Sequence, residues 1–123
     1  MGSQRSGLTV TDAEAESAAK TDWSQIVALY DLLLRIDPSP VIELNRAVAV
    51  AMRSGPSAGL QLIDGILSRG DLKDYRPAHA ARAELCRRAG RFDDARASYK
   101  RAIALSRLEP ERRFLERQLA SLG

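Results

Sequence analysis

The sequence predicts an all-α protein built as a stack of helix pairs, and three observations carry that expectation. Aromatic residues make up only 5% of the 123-residue chain, β-branched runs are short, and alanine, leucine and arginine dominate, so intrinsic propensity favours helix almost throughout. Turn signals divide the chain at short intervals: "DPSP" at 37–40, "SGPS" at 54–57, "SRGDLKDYRP" at 68–77 and "AGR" at 89–91. The third is a self-similarity at fixed period. Adding 69 to Trp23, Ile26, Tyr30, Leu33 and Ile36 gives Phe92, Ala95, Tyr99, Ala102 and Leu105, aromatic for aromatic and apolar or small for apolar. A middle copy lies 33 beyond the first, at Gly59, Ile63 and Ile66.

The punctuation places helices at about 11–20, 22–36, 41–53, 57–68, 76–89, 92–106 and 110–121, within one domain spanning 10–123. Residues 1–9, with "MGSQRSG", read as an expression-tag remnant or a disordered lead-in. The first helix opens on Thr11 with Glu14 three residues on, a capping box, but its packing positions hold Val10, Ala13, Glu14 and Ser17, a weak set. Thr21-Asp22 caps the second. The third contains "PVIELNRAVAVAM", whose valine–alanine alternation looks like a strand. Thirteen residues without a turn signal are long for a strand, and Leu44, Ala47, Val48 and Ala51 form an i, i+3, i+4, i+7 stripe expected to pack on neighbouring helices. The last helix starts on Glu109-Pro110 and is expected to bury Phe114, Leu115, Leu119 and Leu122, capping the open end of the stack.

Charge is unevenly placed. The formal net charge is +3, but residues 1–68 hold 5 basic and 8 acidic side chains, whereas residues 69–123 hold 14 and 8. Arginine outnumbers lysine 16 to 3, so the C-terminal half offers planar forks to carboxylates or phosphates, or simply solvates helix faces. Arg87, Arg88, Arg91, Arg96, Lys100 and Arg101 could make salt-dependent phosphate contacts. No recognition-helix turn accompanies them, so direct DNA binding is not expected. A single cysteine excludes an internal disulfide and fits a cytoplasmic location; no apolar run approaches the roughly 18 residues of a membrane span. There is no Gly-rich phosphate loop, no histidine pair at ligand spacing and no nucleophile with a base in the same motif, so neither enzyme activity nor a cofactor is expected. Cys86 and the lone His79 read as structural.

Two resemblances follow from these words. "AGRFDDARASYKRAIAL", with Gly90, Phe92, Ala95, Tyr99 and Ala102, resembles the second half of a tetratricopeptide repeat, and "LLLRIDPSP" its usual ending. The likeness implies a right-handed superhelical stack of about 2.5 to 3 repeats plus a capping helix. Arg82 and His79 depart from the consensus. On that fold the first helices of each pair line a concave face, placing the candidate partner-binding residues at Ile42, Asn45, Ala49, Met52 and Arg53, then at Glu84, Arg87 and Arg88. Asn45 either ties one helix to the next or meets a partner; Arg46 points to the flank, toward an acidic residue. Some tetratricopeptide domains clamp a chaperone's terminal carboxylate, but Ala49, Pro77 and Ala81 stand where that clamp needs polar donors.

More specifically, "TDWSQIVALYDLLLRIDPSPVIELNRAVAVAMRSGPSAGL" with "ERRFLERQL" resembles the C-terminal extension of a group of bacterial extracytoplasmic-function sigma factors. The resemblance covers residues 13–123. It implies a regulatory domain, cut just upstream of Thr9 to Asp12, that contacts the sigma core regions in cis, RNA polymerase or a regulatory protein. An incomplete first helix pair is expected to expose an apolar face around Trp23 and Tyr30 and to favour self-association. The alternative is an independent scaffold for an unrelated protein or peptide.

Overall fold

The structure, a computed structural model, describes residues 21–123. The expected lead-in and the expected helix at 11–20 lie outside the described residues. Among the described residues the chain is all-helical, with no strand: α1 Trp23–Ile36, α2 Pro40–Ser54, α3 Pro56–Ser68, α4 Arg76–Arg88, α5 Phe92–Leu105 and α6 Glu109–Ala120. No helix among them is long and apolar enough to cross a membrane.

Local chemistry sets the helix ends. The Asp22 carboxylate accepts a hydrogen bond from Gln25 N at 3.0 Å and caps α1. Ser39 does the same for α2 through Val41 N at 3.2 Å, with Pro40 at the first helical position, where its missing donor costs nothing. One residue, Gly55 (φ +102°), ends α2 and begins α3, a conformation that side chains with a Cβ rarely adopt. α4 closes with Gly90 at φ +79°, its amide donating to Arg87 O and the Arg91 amide to Cys86 O.

Successive helices pack side by side, α1 on α2 through to α5 on α6. α2 and α3 run antiparallel: Arg69, just past the end of α3, bridges Glu43 at the start of α2, while Gly59 near the start of α3 sits against Ala47 and Ala51 near the end of α2. The main core is formed by α2 to α6: Leu44, Ala47 and Ala51; Leu60 and Ile63; Ala78, Ala83, Leu85 and Cys86; Ala95, Tyr99 and Ala102; and Leu115. Its many alanines let helix axes approach closely. A smaller cluster joins α1 to α2 through Val27, Ala49 and Val50, with Trp23, Ile26 and Tyr30 half-buried around it.

Packing corrects three expectations. Val48 is half-buried, whereas Ala49 and Val50 are fully buried, because α2 is covered on two sides and not along one stripe. The exposed apolar face of α1 is formed by Leu29, Leu32, Leu33 and Ile36 and does not centre on Trp23 and Tyr30. Leu33 and Ile36, repeat positions in the sequence, are thus not core: among the described residues α1 packs chiefly on α2. In α6, Leu115 is buried with Leu119 and Leu122 packed beside it, but Phe114 is 52% exposed. Leu115 and Leu119 lie one turn apart on one face of α6, Leu122 follows just past its end, and Phe114 lies a rotation off that face.

Candidate interaction face

The first-of-pair helices α2 and α4, together with α6, present side chains to a common face. α4 meets α2 where Arg88 Nη1 lies 3.5 Å from Met52 Sδ. Between α4 and α6 runs a groove of about 330 Å³ lined by Ala80, Glu84, Arg87, Arg88, Phe114 and Gln118, with Tyr99 and Leu115 beneath.

Glu84 organises the groove. Its carboxylate accepts from Arg87 Nε at 3.1 Å and from Arg88 Nε at 2.9 Å, one turn and less along the same helix face, and from the Tyr99 hydroxyl at 3.4 Å. Partial burial pushes the Glu84 carboxyl up, but the hydrogen bonds from Arg87 and Arg88 outweigh it and hold it below the usual carboxylate range. The Glu84 hydrogen bonds in turn raise the Arg87 guanidinium. Burial, then the neighbouring Glu84 charge, pushes the Tyr99 phenol up. At neutral pH the triad is therefore two guanidinium ions sharing one carboxylate.

The predicted site residues divide. Met52, Glu84, Arg87 and Arg88 are brought together. Asn45 is exposed, and its side chain makes no hydrogen bond to another helix among the described residues. Ile42 is half-buried at the edge of the face. Arg53 is exposed and donates to Ser54 Oγ at 3.0 Å. Ala49 does not belong: at 3% exposure it is packed against α1 with Val27 and Val50, out of reach of any partner. Sequence reasoning missed Phe114 and Tyr99. The signal for Phe114 was in "PERRFLERQL", where Leu115 and Leu119, one turn apart, define the packed face and Phe114 starts a neighbouring row.

Arg46 reaches the flank, its Nε donating to Asp31 Oδ1 at 2.6 Å. There, with the Arg69–Glu43 bridge, it borders a second groove of about 440 Å³ whose floor includes Leu34, Leu62 and Ile66. Most of the basic side chains that raised nucleic-acid binding are paired locally: Arg91 with Asp94, Arg96 with Asp93 and Arg101 with Asp74, while Arg87 and Arg88 share the single Glu84 carboxylate. Cys86 is fully buried, and burial pushes its thiol up, away from the reactive thiolate. Among the described residues, no group of three or more His, Cys, Asp or Glu side chains could hold a metal ion.

No protein-family model matches the chain, and no solved structure matches it. It is 39% identical over 119 residues to an uncharacterized protein of Rhizobium meliloti (strain 1021), in an alignment covering 97% of this chain and 28% of that protein. The chain thus spans little more than a quarter of that relative's length.

Proposed function

We propose that the chain is a regulatory protein-interaction domain of an extracytoplasmic-function RNA polymerase sigma factor, folded as a tetratricopeptide-like right-handed superhelix that α6 caps. It acts in the cytoplasm, without catalysis or a cofactor, by docking the sigma core regions in cis, RNA polymerase or a regulatory protein. The observation that carries the binding role is the face across α2, α4 and α6, which sets exposed Met52 and Phe114 beside the Glu84–Arg87–Arg88 triad, with exposed Asn45 about two turns before Met52 on α2. Tetratricopeptide-like stacking is supported by the close-packed α2–α3 pair and by the recurrence of its buried positions in α5. The assignment to sigma factors rests on the "TDW" and "LNRAVAVA" words. The Rhizobium relative carries its matching segment within a longer chain, as a regulatory domain would require. Self-association, on this reading, uses the apolar row of α1.

The test is retention of sigma core regions supplied as a separate chain. The domain is expected to retain them at physiological salt, and Asn45→Ala combined with Met52→Glu to lose them while melting like the parent. Absence of retention, together with unaltered transcription when the domain is deleted from the intact protein, rejects the sigma reading.

A further inference from the structure

We propose that the groove between α4 and α6 recognises an acidic, apolar-anchored helical segment, and that Glu84 is an internal stand-in for that segment's carboxylate. The inference rests on reading this face as a docking surface, but it names the chemistry of the occupant and does not depend on a sigma factor supplying it.

Charge gives the first argument. Two guanidinium groups and one carboxylate leave the triad one positive charge in excess. Glu84 engages only part of each fork: Arg87 through Nε and Nη2, Arg88 through Nε. Arg87 also engages the Tyr99 hydroxyl, whereas Arg88 Nη2 has no acceptor among the described residues and Arg88 Nη1 has only the weakly accepting Met52 sulfur. Guanidinium forks present paired donors that match carboxylate geometry, so the free edge of Arg88 favours a second carboxylate over a neutral amide.

Apolar anchoring gives the second. Phe114 and Met52 stand 52% and 43% exposed beside the triad. A flexible thioether and an aromatic ring next to a fixed charge suit the apolar stripe of a partner helix, read as anchors at i and i+4. The Tyr99 hydroxyl and the two arginines hold the Glu84 carboxylate in place before any partner arrives. Glu84 consequently orients both arginines and also competes for them, so an incoming carboxylate gains less than it would from unpaired arginines.

The experiment uses the full chain and a synthetic helical peptide with leucines at i and i+4 and glutamates between them. A control peptide carries glutamines in place of the glutamates. Binding is read by fluorescence anisotropy at low and at physiological salt. The parent chain is expected to bind the acidic peptide about tenfold more tightly than the glutamine peptide. Glu84→Gln is expected to tighten the acidic peptide about threefold and leave the control unchanged. Arg87→Met with Arg88→Met should erase the preference, with an unchanged urea midpoint showing that the fold is kept. Because the Glu84→Gln arm is a gain, loss of fold cannot mimic it. Equal binding of the two peptides, no binding of either, or unchanged or weakened acidic-peptide binding in Glu84→Gln each overturn the proposal. None of these outcomes depends on whether sigma core regions are retained.

Discussion

At Gly59 a single hydrogen atom decides whether two helices can touch. A Cβ built there would lie 2.6 Å from Ala51 Cβ and 2.8 Å from the Ala47 carbonyl oxygen, and the second of these is backbone that cannot swing aside. Gly65, two turns further along α3, would meet nothing within 4 Å. The two glycines are equivalent to a propensity scale and opposite in the structure. Gly59→Ala should therefore destabilise the chain by about 1–3 kcal/mol through overpacking. Gly65→Ala should stabilise it by about 0.5–1 kcal/mol by relieving the entropy cost of a helical glycine. Urea midpoints of the two variants check this, and equal shifts of the same sign would refute the close α2–α3 contact. The sequence period placed Gly59 opposite Ile26 and Ala95, a position for a small or apolar contact. It could not show that only glycine fits, because the constraint comes from α2, not from α3 itself.

Between elements, the chain uses arginine where the repeat pattern calls for another residue, and here the sequence was least legible. Arg82 looked like a departure from the repeat consensus. In the structure its Nε donates to Asp64 Oδ1 on α3 at 2.6 Å and its Nη1 to Ser98 Oγ on α5 at 2.7 Å, so one side chain of α4 links three helices. Its partners lie 18 residues before and 16 after it, distances over which no local pattern carries information. The half-exposed Asp64 pair contributes little on its own, whereas Ser98 is 4% exposed and depends on Arg82 for its partner. Replacing Arg82 with leucine should cost about 1–3 kcal/mol, chiefly by stranding that buried hydroxyl. In a double-mutant cycle with Ser98→Ala the second substitution should recover part of the loss, giving a coupling of about 0.5 kcal/mol or more. Additive energies would mean that the hydroxyl finds another acceptor or donor. Helix identity was far easier to read: "PVIELNRAVAVAM" is helical as its length and stripe indicated, yet Ala49 was misplaced on the open face. Periodicity reports how many residues share a face; it does not report that α2 has neighbours on two sides.

At the scale of the molecule, each helix among the described residues meets mainly its neighbours in sequence, so stability is a sum of adjoining interfaces and need not be uniform. An interior helix and the first described one differ in kind. α5 buries Ala95, Ser98, Tyr99 and Ala102 and is covered by both α4 and α6. α1 fully buries only Val27, while Leu29, Leu32, Leu33 and Ile36 remain exposed. Apolar burial supplies roughly 25 cal/mol for each Å² removed from water, so α1, with one fully buried side chain, is held less firmly than α5 by the described residues. Its amides should open by local unfolding at a free energy well below the global value, as sparsely buried elements do. Native-state hydrogen exchange is expected to show α1 exchanging first, α4 and α5 last, and α1 becoming protected as protein concentration rises if its apolar row is covered by a second copy. Protection of α1 equal to that of α5 in dilute solution would show that the exposed row is already covered within the chain. It would also move the weakest interface of the stack elsewhere.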